Sequence, residues 1–199
     1  MEKNLIVTAS PHIVDRSSTR RLMRNVIIAL LPCVVASAWI FGLRALLVEA
    51  VAVFACVAFE YLYCYLMKKP IPVGDLSAVV TGLILAMNVP VTLPLWMVVL
   101  GSFVAIVITK QLFGGLGFNL ANPALMGRLV LFGSFTGAMT NWTFPRTISG
   151  TDALAGATPL VAGQTDPLPV LDLFLGVHGG VLGETCALAI LLGFVYLVV

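Results

Sequence analysis

The chain has 199 residues, of which 60% are hydrophobic and only 10% are charged. Soluble domains carry about 25% charged residues, so this chain has too few to cover a water-exposed surface. The formal net charge of +2 excludes a strongly basic nucleic-acid binder, and the mean hydropathy of +1.06 excludes a disordered chain. The composition predicts an all-α, polytopic helical membrane protein with about six spans.

Residues 1–24 are polar and basic, and we interpret them as a cytoplasmic segment that precedes the first span. The uncharged run of residues 76–109 would be about 51 Å long as one helix, which is too long for a hydrocarbon core of about 30 Å. Asn88, Pro90 and Pro94 therefore predict a turn between two short spans. The predicted spans are residues 26–43, 45–67, 76–89, 94–110, 121–135 and 180–199.

These spans divide the chain into four parts. They are a cytoplasmic segment at residues 1–24, a bundle of five spans at residues 25–135, an external loop at residues 136–179, and a sixth span at residues 180–199. We expect the sequence to stop inside this sixth span, as the front part of a larger bundle.

The basic residues fall mostly on one side of the predicted spans. With the N-terminus in the cytoplasm, eight basic residues lie in cytoplasmic segments, and only Arg44 and Arg146 lie in external ones. In this count Lys110 is the cytoplasmic end of the fourth span. The positive-inside rule then places the loop at residues 136–179 outside the membrane.

Four ionisable side chains fall within predicted spans: Glu49, Glu60, Arg128 and Glu184. Each costs about 2.5–3.5 kcal/mol at a helix centre. We expect Glu60 near the cytoplasmic interface, and Glu49 and Glu184 near the outer one, where water would solvate them. Solvation at an interface does not readily explain Arg128, which lies within a span. The N–H donors of its planar guanidinium are arranged to bind a phosphate or another anion.

Glycine, asparagine and proline interrupt the apolar pattern at residues 75–88 and 110–127. Irregular backbone at membrane depth is tolerated where it is buried in protein or lines a polar cavity, and broken helices often build binding sites there. Close helix packing through small residues is the alternative. The cysteines all lie in apolar spans without a CxxC spacing, so we expect buried hydrophobic thiols and neither a metal site nor a catalytic residue.

Several stretches, taken together, resemble one family. They are SPH at residues 10–12, DLSAVVTG at 75–82, KQLFGGLGFNLANPA at 110–124, DALAGATPL at 152–160 and GET at 183–185. The chain resembles the D subunit of the Rnf ion-translocating ferredoxin:NAD oxidoreductase and its relative, the B subunit of the sodium-pumping NADH:quinone oxidoreductase. The matches are collinear over almost the whole chain.

The resemblance implies a membrane electron-transfer subunit of a redox-driven ion translocase, with no turnover of its own. In this family a threonine of a Ser/Thr-Gly-Ala-Thr motif carries FMN through a phosphoester bond, and the motif here reads Ala155-Gly156-Ala157-Thr158. The first position departs from the usual hydroxyl residue. The resemblance therefore implies covalent FMN on Thr158, with Asp152 upstream.

Further cofactors and partners are implied by the same resemblance. They are a non-covalent riboflavin, for which residues 110–122 are the suggested region, the other Rnf subunits including an external FMN subunit, and a flavin transferase for maturation. We predict that Arg128 and Asn122 contribute to cofactor binding, beside Gly156 and Ala157. The predicted location is the inner (cytoplasmic) membrane, with the Thr158 loop external.

The residues leave three alternatives open. The chain could belong to the quinone-linked pump, although the short segment before Ser10 favours the Rnf side. It could be a channel or transporter without flavin, because interrupted helices are equally expected there. It could also be a scaffold subunit without a cofactor.

Overall fold

The computed structural model describes residues 18–70, 72–143, 155–156, 170–176 and 178–198. Within these ranges the fold is all-α apart from one two-residue strand pair. The helices are α1 (Thr19–Phe41), α2 (Leu43–Leu66), α3 (Ser77–Met87), α4 (Leu95–Gln111), α5 (Pro123–Ser134), α6 (Thr136–Met139), α7 (Val170–Leu175) and α8 (Ala187–Val198). Strands β1 (Trp142–Thr143) and β2 (Ala155–Gly156) pair antiparallel, and a 3₁₀ turn covers Val73–Asp75.

Local sequence explains where most of these helices begin and end. Ser18 accepts a hydrogen bond from the Arg21 backbone N–H and caps α1. Pro123 takes the first position of α5, where its missing N–H is harmless. Pro90 and Pro94 lie in the turn that separates α3 from α4, as predicted. The second half of α4, Val104–Gln111, is a π-helix.

Two helix boundaries differ from the prediction. Helix α1 begins at Thr19, seven residues before the predicted span, because Ser18 caps it there. Helix α8 begins at Ala187, whereas the predicted sixth span begins at residue 180. The residues before it are irregular because their backbone bonds to another segment, as described below.

The helices alternate in direction between two ends of the bundle. At the near end, where α1 begins, Lys110 of α4 bonds to Glu60 of α2. At the far end, where α1 finishes, Arg44 donates hydrogen bonds to the carbonyls of Val91 and Thr92 in the α3–α4 turn. The bundle is therefore an antiparallel array in which α2 contacts α1, α3 and α4.

Small residues bring the helix backbones together. A Cβ atom on Gly82 would lie 2.7 Å from Val53 Cα, and one on Gly127 would lie 2.7 Å from the Gly101 carbonyl oxygen. Such approaches are typical of membrane helices, where close packing replaces the hydrophobic effect. Large apolar side chains such as Trp39 and Phe54 are exposed on the outside, which fits a lipid-facing surface.

Two helices, Thr19–Phe41 and Leu43–Leu66, are long and apolar enough to cross a membrane by themselves. Four others are apolar but shorter: Ser77–Met87, Leu95–Gln111, Pro123–Ser134 and Ala187–Val198. The chain is thus an all-α membrane protein in which several helices are short or interrupted, as the sequence predicts.

Candidate functional site

The segment before α8 meets the end of α3 inside the bundle. The Gly183 N–H donates to the Met87 carbonyl at 2.9 Å, and the Leu182 N–H to the Val89 carbonyl at 3.3 Å. A Cβ atom on Gly183 would lie only 2.5 Å from Met87 Cβ, so this approach requires glycine. The irregular segment at residues 180–186 therefore pairs backbone N–H groups with carbonyls at the end of α3. Backbone polar groups inside a membrane need such partners within the protein, because lipid provides none.

This junction borders a cavity of about 420 Å³ whose polar lining comes from Asn88, Arg128 and Glu184. Arg128 Nη1 donates to Asn88 Oδ1 at 2.9 Å, and Asn88 Nδ2 donates to the Ile84 carbonyl at 2.7 Å. This chain of bonds fixes the guanidinium beside the cavity. Because a guanidinium has five donors and one is used here, the cavity can accommodate an anionic or hydrogen-bonding group.

A second polar site lies at the near end and consists of Glu60, Asp75, Ser77, Lys110 and Gln111; we call it the Lys110 cluster. Lys110 Nζ lies 2.5 Å from Glu60 Oε1 and 2.5 Å from Ser77 Oγ. Gln111 Nε2 donates to the same Glu60 oxygen at 2.9 Å. Within the described residues Glu60 Oε2 has no hydrogen-bond partner.

The start of α3 positions the hydroxyl of this cluster. Asp75 Oδ1 accepts from the Ser77 N–H at 2.7 Å and from Ser77 Oγ at 2.5 Å, so it satisfies the first backbone N–H of α3 and orients the hydroxyl. Leu76, between them, has φ +65°, a left-handed conformation that residues with a side chain rarely adopt. Strain of this kind persists where the surrounding contacts over-determine it.

The π-helix of α4 ends with two consecutive residues that contact one carboxylate. In Val104–Gln111 the backbone widens, and Leu112 N–H bonds to the Val107 carbonyl five residues earlier. This widening accompanies an arrangement in which Lys110 and Gln111 both contact Glu60. Insertions of π-helix inside α-helices are frequent at functional sites.

The expectations that water solvates Glu60 and Glu49 at the membrane interfaces are therefore wrong. Glu60 is 0% exposed, and Lys110, which ends the fourth span as predicted, is only 1% exposed, so water solvates neither side chain. The remaining basic residues still favour the same orientation. Glu49, expected near the outer interface, is also buried, whereas Glu184 is exposed along the cavity beside Arg128.

The predicted cofactor residues lie in separate places. Asn122 is at the near end, where its side chain accepts from the Ala124 N–H at 3.0 Å and caps α5. Arg128 lies midway along α5. Gly156 lies in β2, which pairs with β1 after α6, toward the far end. Asp152, Ala157 and Thr158 lie outside the described residues.

The hydrogen-bond partners of Glu60, Lys110 and Arg128 are functional candidates that the sequence did not identify. Ser77 and Gln111 appear in the motifs at residues 75–82 and 110–124 without a stated role, and Asn88 is interpreted only as a turn residue. In the sequence, each of these residues is recognisable as a polar residue within or beside an apolar run. Asn119 is similar: its Oδ1 atom is buried and has no partner among the described residues.

Residues 6–199 match the NQR2, RnfD, RnfE family. The chain is 49% identical to the D subunit of the Na(+)-translocating ferredoxin:NAD(+) oxidoreductase complex of Acetobacterium woodii, over 99% of this chain and 63% of that protein. It is 38% identical to the proton-translocating counterpart of Clostridium ljungdahlii, over 100% of this chain and 63% of that protein.

A third relative, the D subunit of the ion-translocating oxidoreductase complex of Escherichia fergusonii, is 39% identical over 87% of this chain and 47% of that protein. The chain thus spans less than two thirds of the length of these relatives. A match that covers residues 6–199, together with the motifs and the interrupted helices described above, shows that this chain belongs to the NQR2, RnfD, RnfE family.

Proposed function

We propose that this chain forms part of the D subunit of an ion-translocating ferredoxin:NAD⁺ oxidoreductase, and that it carries electrons within the membrane while Na⁺ or H⁺ is moved. The observation that carries this proposal is the family match over residues 6–199 with relatives named as D subunits of such complexes. These relatives also favour the Rnf side over the quinone-linked pump.

The proposal includes covalent FMN on Thr158. A flavin would supply the electron-transfer chemistry, and the protein would hold it in place and tune its surroundings. In the described part of this motif, the Gly156 backbone pairs with Trp142. This pairing ties the residues just before Thr158 to the chain that follows α6. A separate flavin transferase would activate the weakly nucleophilic hydroxyl.

A second, non-covalent flavin fits the loop between α4 and α5. Asn119 Oδ1 is buried without a partner among the described residues, and it could accept a hydrogen bond from a flavin ring N–H. Gly114, Gly115 and Gly117 all have positive φ, so the loop backbone takes conformations that favour glycine. Asn122 caps the adjoining helix and supports this loop.

The buried charges support the ion-transport part of the proposal. Ionisable groups in a membrane bundle are expensive and usually mark ion or proton pathways. The Lys110 cluster lies at the near end, and the cavity of Asn88, Arg128 and Glu184 lies beside the end of α3. In the proposed orientation the near end faces the cytoplasm, and Thr158 faces an external FMN-carrying partner.

A channel or transporter without flavin is the second candidate. The observation that favours it is the polar cavity at two interrupted segments, which is also typical of transporters. Arg128 and Glu184 would then line the path of a solute. Solute flux in liposomes that contain the purified protein, without flavin or partner subunits, would support this candidate against the electron-transfer proposal.

The direct test is covalent flavin in the full-length protein, co-expressed with the flavin transferase and run on a denaturing gel. We expect a fluorescent band for the wild-type protein and for Thr151→Ala, a matched control in the same loop. Thr158→Ala should abolish the fluorescence. An unlabelled wild-type band, or a Thr158→Ala band that is still labelled, would refute the FMN assignment.

A further inference from the structure

Glu49 is a membrane-buried carboxyl group that the proposed function does not use. It lies on α2, is only 3% exposed, and contacts Ser37 of α1. Its Oε1 atom lies 2.6 Å from Ser37 Oγ, and its Oε2 atom has no hydrogen-bond partner among the described residues.

The hydrogen bonds around Ser37 indicate which protonation state of Glu49 they fit. Ser37 Oγ lies 2.8 Å from the Val34 carbonyl oxygen and 2.6 Å from Glu49 Oε1. The carbonyl can only accept, and a hydroxyl has a single proton to donate. Both contacts are hydrogen bonds when Ser37 donates to Val34 and the Glu49 carboxyl donates to Ser37. A neutral Glu49 carboxylic acid therefore satisfies both contacts at once, whereas a carboxylate would take the Ser37 proton and leave the Ser37–Val34 contact without one.

The charges around Glu49 favour the same state. Arg44, on the same helix, donates instead to the carbonyls of Val91 and Thr92. On α1 the nearby titratable group is the thiol of Cys33, and α3 presents Leu83 to the adjoining cavity. In the described part of the chain the ion pair within 4 Å is Lys110–Glu60. An ionised carboxylate without a partner would be strongly disfavoured in this setting.

A cavity of about 520 Å³ gives access to this carboxyl group. Among the described residues that line it, Glu49 is the one ionisable residue, and the others are apolar: Val34, Leu46, Ala50, Val53, Phe54, Val57 and Leu83. Leu46 is 38% exposed and Phe54 is 77% exposed on the outside of the bundle. The cavity therefore opens toward the lipid-facing surface.

We propose that Glu49 is a proton-binding site inside the membrane, and that a lipid-soluble carbodiimide reaches it through this cavity and modifies it. In that reaction the carboxyl proton moves to a carbodiimide nitrogen, and the carboxyl oxygen bonds to the central carbon. The O-acylisourea then rearranges to a stable N-acylurea. The reaction is a net addition, so it requires no oxidant and releases no leaving group.

Glu60 provides an internal comparison on the same helix. It lies eleven residues after Glu49, about three turns and 16 Å along α2, so the two carboxyl groups occupy nearly the same face. Glu60, in contrast, is paired with the Lys110 ammonium. A reagent that requires a protonated acid should discriminate between these two positions.

The test treats the full-length protein, in its assembled complex in native membranes, with dicyclohexylcarbodiimide and locates the adduct by peptide mass spectrometry. We expect the adduct on Glu49, its loss in Glu49→Gln, and its retention in Glu60→Gln. The amide of Glu49→Gln can still donate to Ser37, so the variant preserves the local bond. Absence of an adduct on Glu49 in the wild-type protein would overturn the proposal.

Infrared spectroscopy checks the protonation state without a chemical reagent. The carbonyl stretching band of a protonated, buried carboxylic acid should be present in the wild-type complex and in Glu60→Gln, and it should be lost in Glu49→Gln. A band that persists unchanged in Glu49→Gln would assign the protonated acid to another residue and would also overturn the proposal. Neither measurement depends on the presence of flavin.

Discussion

Lys110 Nζ and Glu60 Oε1 are 2.5 Å apart although the two residues are fifty positions apart in the chain, and both side chains are buried. The ammonium also contacts Ser77, and the carboxylate also accepts from Gln111. One contact therefore joins α2, the start of α3 and the π-helical end of α4.

Removal of the ammonium should destabilise the fold strongly. Lys110→Met leaves the Glu60 carboxylate buried without its cation, and breaking a buried pair costs about 3–5 kcal/mol. The measurement is thermal unfolding of the detergent-solubilised, full-length protein. The double variant Lys110→Met/Glu60→Gln removes both charges, so it should recover much of the lost stability. A double variant as unstable as Lys110→Met would contradict the assigned pairing.

A methyl group on Gly82 should push α3 away from α2. The added Cβ would lie 2.7 Å from Val53 Cα and 3.0 Å from the Ala52 carbonyl oxygen, neither of which can move as a side chain does. Gly82→Ala should therefore destabilise by about 1–3 kcal/mol, as measured by thermal unfolding. Gly133→Ala is the matched control, because nothing lies within 4 Å of its added Cβ. Equal effects of the two substitutions would contradict the close packing.

The cavity beside Arg128 should contain water. Ile190 and Leu188 both lie on α8, but Ile190 lines this polar cavity and Leu188 lines an apolar cavity next to α1. In a background without the native cysteines, a hydrophilic maleimide should react with Ile190→Cys much faster than with Leu188→Cys, because the reactive thiolate is disfavoured in apolar surroundings. Equal reaction rates would argue against a hydrated cavity.

The two ends of the bundle should face opposite sides of the membrane. Lys69 follows α2 at the near end, and Asn141 follows α6 toward the far end, where Thr92 donates a hydrogen bond to its carbonyl. Both residues are exposed. In intact cells an impermeant thiol reagent should label Asn141→Cys but not Lys69→Cys, which should react only after permeabilisation. The reverse pattern would invert the orientation predicted from the basic residues.

The sequence was sufficient for the short helices and their turn, because Pro90 and Pro94 cannot continue a helix and the uncharged run exceeds the membrane thickness. It was misleading at residues 180–186, which are apolar enough to be part of a span. Only the approach of Gly183 to Met87 shows why this backbone remains irregular. A local sequence pattern does not reveal which distant part of the chain will pair with the backbone N–H and C=O groups of a segment.

The sequence predicted which charged residues belong to the candidate site, but not which side chains they contact. Glu60 and Arg128 were conspicuous as charges inside apolar runs, yet their partners Lys110 and Asn88 lie fifty and forty positions away. Lys110 follows an apolar run, so its sequence position is the same as that of an ordinary interfacial lysine. The flavin motif could be identified only by resemblance, and Thr158 itself lies outside the described residues.

The π-helix at Val104–Gln111 makes this part of the chain sensitive to length rather than to residue type. Deleting one residue from it would restore an α-helical repeat and remove the widened turn. Lys110 and Gln111 would then no longer reach Glu60 together, although the composition of the segment would hardly change. Apolar exchanges such as Ile108→Val should be tolerated here, whereas a single-residue deletion should not.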